Sequence, residues 1–157
     1  MSRIKTMFLA MVAVLAIGAV GASAAQAGTG HITTDYGACD FTFTSGAINS
    51  PDPIHSGWAS SRELTNFAPD TSAGKSCDAS DIDAALHLHW KSDGTAEAIG
   101  TITIPGLFGN CTYSGTLTGT YSGGTFTLNP SPQTVSLSSG FLCPDPITVS
   151  NPTSLTP

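Results

Sequence analysis

The sequence predicts an all-β protein: a single antiparallel β-sandwich or small β-barrel of about seven or eight strands with two disulfides, the sandwich being favoured. Three observations carry that prediction. Apolar residues alternate with Thr and Ser in segment after segment, which is the two-residue period of a half-buried strand. Thr, Ser and Gly are abundant while Lys and Glu are scarce, and the branched Cβ of Thr suits a pleated surface. Four cysteines, Cys39, Cys77, Cys111 and Cys143, all follow an N-terminal segment of export type.

That segment comes first in the chain. Arg3 and Lys5 supply its positive start, residues 7–21 are apolar and uncharged, and Ala25-Gln26-Ala27 fits the small-residue rule of signal peptidase. Residues 1–27 are therefore expected to be a cleaved secretory signal, bacterial in length and composition. The apolar run falls short of the roughly 20 residues of a comfortable membrane span. Removing 27 of 157 residues leaves 130, enough for one domain, expected over residues 28–150. A Pro/Ser/Thr tail at 151–157 is expected to be mobile. No membrane span is expected after cleavage. The exported part sets 11 acidic side chains against Arg62, Lys75 and Lys91, a net charge of −8. That balance opposes binding to nucleic acid or to an anionic membrane.

An even number of cysteines in an exported chain reads as a disulfide framework. Three pairings exist. Cys39 with Cys77 and Cys111 with Cys143 is favoured, because each bridge then closes a loop within one half of the chain. The spacings of 38, 34 and 32 residues match no zinc motif, and no C-x-x-C occurs.

The elements follow in order. Cys39, Phe41 and Phe43 alternate with Asp40, Thr42 and Thr44, a half-buried strand. Residues 57–67 are weaker, with Trp58 and Leu64 as core anchors. Residues 79–86 have some helical character, but their alternation argues for a strand. Ala84, Leu86, Leu88 and Trp90 then share one face, and Ala85, His87, His89 and Lys91 the other. Ser92-Asp93-Gly94 turns the chain, since Asp-Gly tolerates positive φ, and residues 95–104 return as the partner. Cys111, Tyr113, Leu117 and Tyr121 share a face with Gly115 and Gly119, which are expected to mark bends or the close approach of an aromatic ring. Ser122-Gly123-Gly124 is the next turn. Phe126 and Leu128, Val135 and Leu137, and Ile147 and Val149 mark three further strands. Pro51-Asp52-Pro53-Ile54 recurs as Pro144-Asp145-Pro146-Ile147, read as two uses of one stiff turn rather than a repeat.

Candidate chemistry is sparse. His87-x-His89 projects two imidazoles to one side of a strand, where they could share a zinc or copper ion with a third ligand from His31, His55, Asp81 or Asp83. The facing apolar stripe places this pair in solvent. Asp78, Asp81 and Asp83 lack the Gly and distal Glu of a calcium loop. No G-x-S-x-G or H-E-x-x-H occurs, and Glu63 and Glu97 are the only glutamates. Asn110-Cys111-Thr112 matches a glycosylation sequon. Trp58 beside His55, in a Pro/Ser/Gly loop, is the best ligand-binding surface. No catalytic residue and no cofactor are expected. The reading is a secreted, non-catalytic binding or structural module, extracellular or in the cell envelope, whose partner is an extracellular protein or glycan. The alternatives are a small secreted enzyme, or an inhibitor of an extracellular hydrolase presenting residues 51–58 or 144–146.

Overall fold

The structure, a computed structural model, describes residues 25–70, 72, 83–106 and 109–157. Most of the export segment, Cys77, Asp78 and Asp81 lie outside the described residues.

The described residues form nine strands: β1 (Gln26–Thr34), β2 (Gly37–Ser45), β3 (Ser60–Pro69), β4 (Asp83–Trp90), β5 (Thr95–Gly106), β6 (Gly109–Ser122), β7 (Thr125–Leu128), β8 (Gln133–Ser139) and β9 (Ile147–Thr156). Each pairs antiparallel with the next through β7, β7 pairs β9, and β9 closes on β1. The result is a closed eight-stranded barrel plus one extra strand. β8 pairs with both β6 and β9, as β7 does. β7 meets residues 119–122 of β6 and β8 meets residues 112–114, so the two short strands occupy the same place in the wall at different heights. The favoured sandwich is thus corrected to a barrel. Alternation along a strand is identical in the two folds; what decides is the pairing of the last strand with the first, which no local pattern encodes.

The ends of the barrel are called lower (Gln26, Ser45, Trp90, Ser122) and upper (Thr34, Gly37, Gly109, Ile147). Apolar residues point inward and the Thr row of β6 points outward, the reverse of a transmembrane barrel. No helix among the described residues is long and apolar enough to cross a membrane. The core is contributed from all round the wall, with Phe43, Leu64, Leu88, Ala96, Phe126 and Leu128 each at most 3% exposed. Phe41, Phe43 and Phe67 pack ring to ring, with centroids 5.4–6.2 Å apart. Two of these rings lie flat on β1: a Cβ at Gly28 or Gly30 would overlap Phe43 or Phe41. Gly119 does receive an aromatic ring, that of Phe126, whereas Gly115 faces Val135 instead.

Two further features concern the ends of the chain. The expected mobile tail supplies the second half of β9: Leu155 is 5% exposed, and Thr156 pairs with Thr29. Gln26 and Ala27, inside the expected export signal, form the start of β1 opposite Ser45 and Thr44. β1 itself has no clean alternation in sequence, since its inward positions begin with Gly28 and Gly30.

Cys111 and Cys143 are bridged, with Cα atoms 5.8 Å apart, tying the top of β6 to the loop before β9. Among the described residues no cysteine is free. The expected bridge of Cys39 to Cys77 involves a residue outside the described set. A bridge of this loop length contributes roughly 3–4 kcal/mol on the chain-entropy account.

Candidate functional site

Two places gather functional chemistry, one on the outer wall and one inside. The outer one brings together His55, Trp58, His87 and His89. β4 carries His87 and His89 outward, and the loop between β2 and β3 folds back over them. An isolated bridge between Asn49 and Ser61 pins the loop's start. Asp52, with a fully buried side chain, then reaches His89: Nδ1 lies 2.5 Å from Oδ2. Its Oδ1 accepts the amides of Ile54 and His55, at 2.8 and 3.2 Å. The His55 ring stacks on His89 at 4.6 Å, Trp58 meets His89 edge-on, and His87 lies 6.1 Å from it. Lys91 Nζ sits 4.8 Å above the Trp58 ring.

This geometry corrects the sequence reading in one respect. His89 is 2% exposed rather than in solvent, because the loop covers it. Burial works to raise the Asp52 carboxyl, but the Ile54 amide, the His89 ring and the His55 amide outweigh it and hold the group down at about 2. An ionised, buried carboxylate thus orients one imidazole and closes one turn of the loop. No hydroxyl or thiol among the described residues hydrogen-bonds His89, and no group of three or more His, Cys, Asp or Glu converges as metal ligands do. Glu63 and Glu97 stand opposite His87 and His89 on the two neighbouring strands. A second imidazole–carboxylate pair, His31 Nδ1 to Asp40 Oδ1 at 2.7 Å, links β1 to β2 on the same outer surface.

The interior place was not singled out in the sequence. The upper half of the barrel encloses a cavity of about 660 Å³. Its floor is Phe41, Phe67, Leu117 and Phe126, its walls include Leu86, Ile102, Val135 and Val149, and its upper rim includes Tyr113 and Pro144. The lining continues to Tyr36 in the β1–β2 turn, which is 66% exposed, so the cavity reaches the surface. Space remains because inward positions on three adjacent strands hold small residues: Ala84 on β4, Ala98 and Gly100 on β5, Gly115 on β6. That run of Ala and Gly at inward positions is the signal that sequence reading had available. Tyr113, 1% exposed, donates its hydroxyl to the Pro144 carbonyl at 3.0 Å. Burial pushes its phenol up, and Tyr36, Asp145 and Asp35 add to the push.

Comparison with protein-family models, known proteins and solved structures finds no match to this chain.

Proposed function

We propose that this chain is an exported carrier, extracellular or in the cell envelope, whose barrel takes up one small apolar molecule. The observation that carries this reading is the cavity of about 660 Å³ with its nearly continuous apolar lining. Its size falls within the range of small-molecule sites, and an eight-stranded barrel is wide enough to hold one small ligand in its interior. The Cys111–Cys143 bridge is compatible with an oxidising compartment. The outer cluster serves this role indirectly, by fixing a long loop to the wall.

The test is titration with N-phenyl-1-naphthylamine, a neutral dye whose fluorescence rises in apolar surroundings. The expected result is saturable, one-to-one enhancement, lost in Ala98→Phe, whose ring would fill the cavity. A linear, unsaturable signal would sink the reading.

A second reading, inhibition of an extracellular hydrolase, has one observation in its favour. Ile54 is 61% exposed on the loop that Asp52 anchors from beneath. Tight inhibition of a co-secreted hydrolase, abolished in Ile54→Ala, would favour it.

A further inference from the structure

We infer that the cavity selects neutral apolar molecules and rejects anionic amphiphiles such as fatty acids, an inference that rests on the carrier reading above. The first support is the chemistry of the lining. Among the described residues it holds neither Lys nor Arg. Four of its polar side chains are already engaged within the protein, and the others, Tyr36, Thr101 and Ser114, offer neutral hydroxyls. Tyr113 donates to Pro144 O, Thr34 Oγ1 to Gly37 O at 3.0 Å, and Thr153 Oγ1 to Ser150 O at 2.7 Å; His31 is paired with Asp40. A carboxylate brought into this space would shed its water and meet no Lys or Arg, and the one imidazole there, His31, is already held by Asp40; an unpaired buried charge is among the most costly transfers in protein chemistry. A hydroxyl carries no such penalty.

The second support is the charge around the upper end. Asp35 and Asp145 both act on the rim residue Tyr113. Each has one carboxylate oxygen bound to a backbone amide, of Thr148 and Leu137 respectively. The interior cation, Arg62, points into the lower end, where its Nη2 donates to Gln26 Oε1. Lys91 is committed to Trp58 on the outer wall. An anion is thus repelled on approach and unpaired on arrival.

The experiment is displacement of N-phenyl-1-naphthylamine from the protein at pH 7 by decan-1-ol and by decanoate, which share a chain length and differ in head charge. The alcohol is expected to compete at least about tenfold more tightly, a difference of about 1.4 kcal/mol. Equal competition with the dye bound would overturn the selectivity and leave the carrier reading standing. Failure of the dye itself to bind would overturn both.

Independently, the structure assigns the export cut to the Ala24–Ala25 bond rather than to the bond after Ala27. Gln26 is built into the barrel. Its carbonyl accepts from Ser45 Oγ at 3.0 Å, and Ser45 is fully buried. Its side-chain oxygen accepts from the guanidinium of Arg62, which is 6% exposed and whose Nε has no partner. A cut after Ala27 would remove both acceptors from buried donors. Ala22-Ser23-Ala24 offers the same small-x-small pattern three residues earlier. There a signal peptidase would hydrolyse the Ala24–Ala25 amide, water giving its hydroxyl to the Ala24 carbonyl and its proton to the Ala25 nitrogen. β1 would remain whole. The denatured mass of the exported protein decides: residues 25–157 are expected, and a mass of 28–157 or of the full chain would overturn the assignment. Ala24→Leu should accumulate precursor, while Ala27→Leu, at an exposed position, should be processed normally; the reverse would also overturn it.

Discussion

The two halves of the barrel are built on different terms. The lower half is solid: Leu64, Leu88, Ala96 and Phe126 are wholly buried, and Trp90 stacks on Tyr121 at 4.5 Å. The upper half encloses the cavity and is crossed by a disulfide near its rim. Close packing is what makes an interior stabilising, so a half that gives up packing needs a substitute. Here the substitute is covalent. The solid end holds the fold together, and the hollow end is free to accommodate a guest.

The sharpest way to break that comparison is one substitution made in both halves. Leu88→Ala, in the solid end, is expected to cost about 3–4 kcal/mol, transfer and new cavity together. Leu117→Ala, on the floor of an existing cavity, is expected to cost about 1–2 kcal/mol, because little new void is created. Equal costs by urea unfolding would show that the halves do not differ. Comparable in size is the bridge: replacing Cys111 and Cys143 together by Ser is expected to cost roughly 3–4 kcal/mol, with amide protection lost first at the upper end. If protection fell uniformly, the disulfide would not be a local substitute for packing.

Outside the barrel, Asp52→Asn is expected to cost about 2 kcal/mol, by weakening the charge-assisted bond to His89 and leaving that ring against a neutral amide. The acid limb follows from the same group. Its carboxyl titrates at about 2 in the folded protein, against 3.8 ordinarily. A depressed value means that the stabilisation is complete above about pH 4 and is lost as pH falls toward 2. A melting temperature that drops across this window in the native protein, and drops less in Asp52→Asn, would bear this out. An unchanged slope would assign acid sensitivity to other carboxylates.

Much of the wall was legible in the sequence and its closure was not. β4 reads directly, because Ala84, Leu86, Leu88 and Trp90 alternate with polar neighbours on a strand whose two faces see different surroundings. β1 does not, because its inward positions are glycines that accept rings from β2, and a glycine has no side chain to mark a face. The C-terminal half of β9 reads as a tail, since Asn151-Pro152 interrupts the alternation and the pairing that orders it comes from β1, more than a hundred residues away. The outer cluster shows the same division. His87 and His89 announce a face, and His55 and Trp58 a loop, but the hydrogen bond that joins them comes from Asp52, and its role depends on a fold-back that local spacing does not specify. The cavity is legible only in retrospect: periodicity tells which side chains point inward, not whether their summed volume fills the space.

The shared position of β7 and β8 has a dynamic consequence. Between the two short strands the neighbouring wall strand leaves the backbone ladder, keeping the bond from Asn129 N to Thr118 O at 3.1 Å. The Gln133 side chain takes over, its Oε1 accepting from Thr118 N and its Nε2 donating to Thr118 O, both at 2.7 Å. Asn151 Nδ2 likewise caps the carbonyls of Leu128 and Asn129. Releasing a ladder bond elsewhere in the barrel requires two strands to part. Releasing the Thr118 amide requires only that one glutamine change rotamer. The seam is therefore where the closed wall can flicker open on its own, and hydrogen exchange at the Thr118 amide should run ahead of that at residues deep in the β4–β5 ladder.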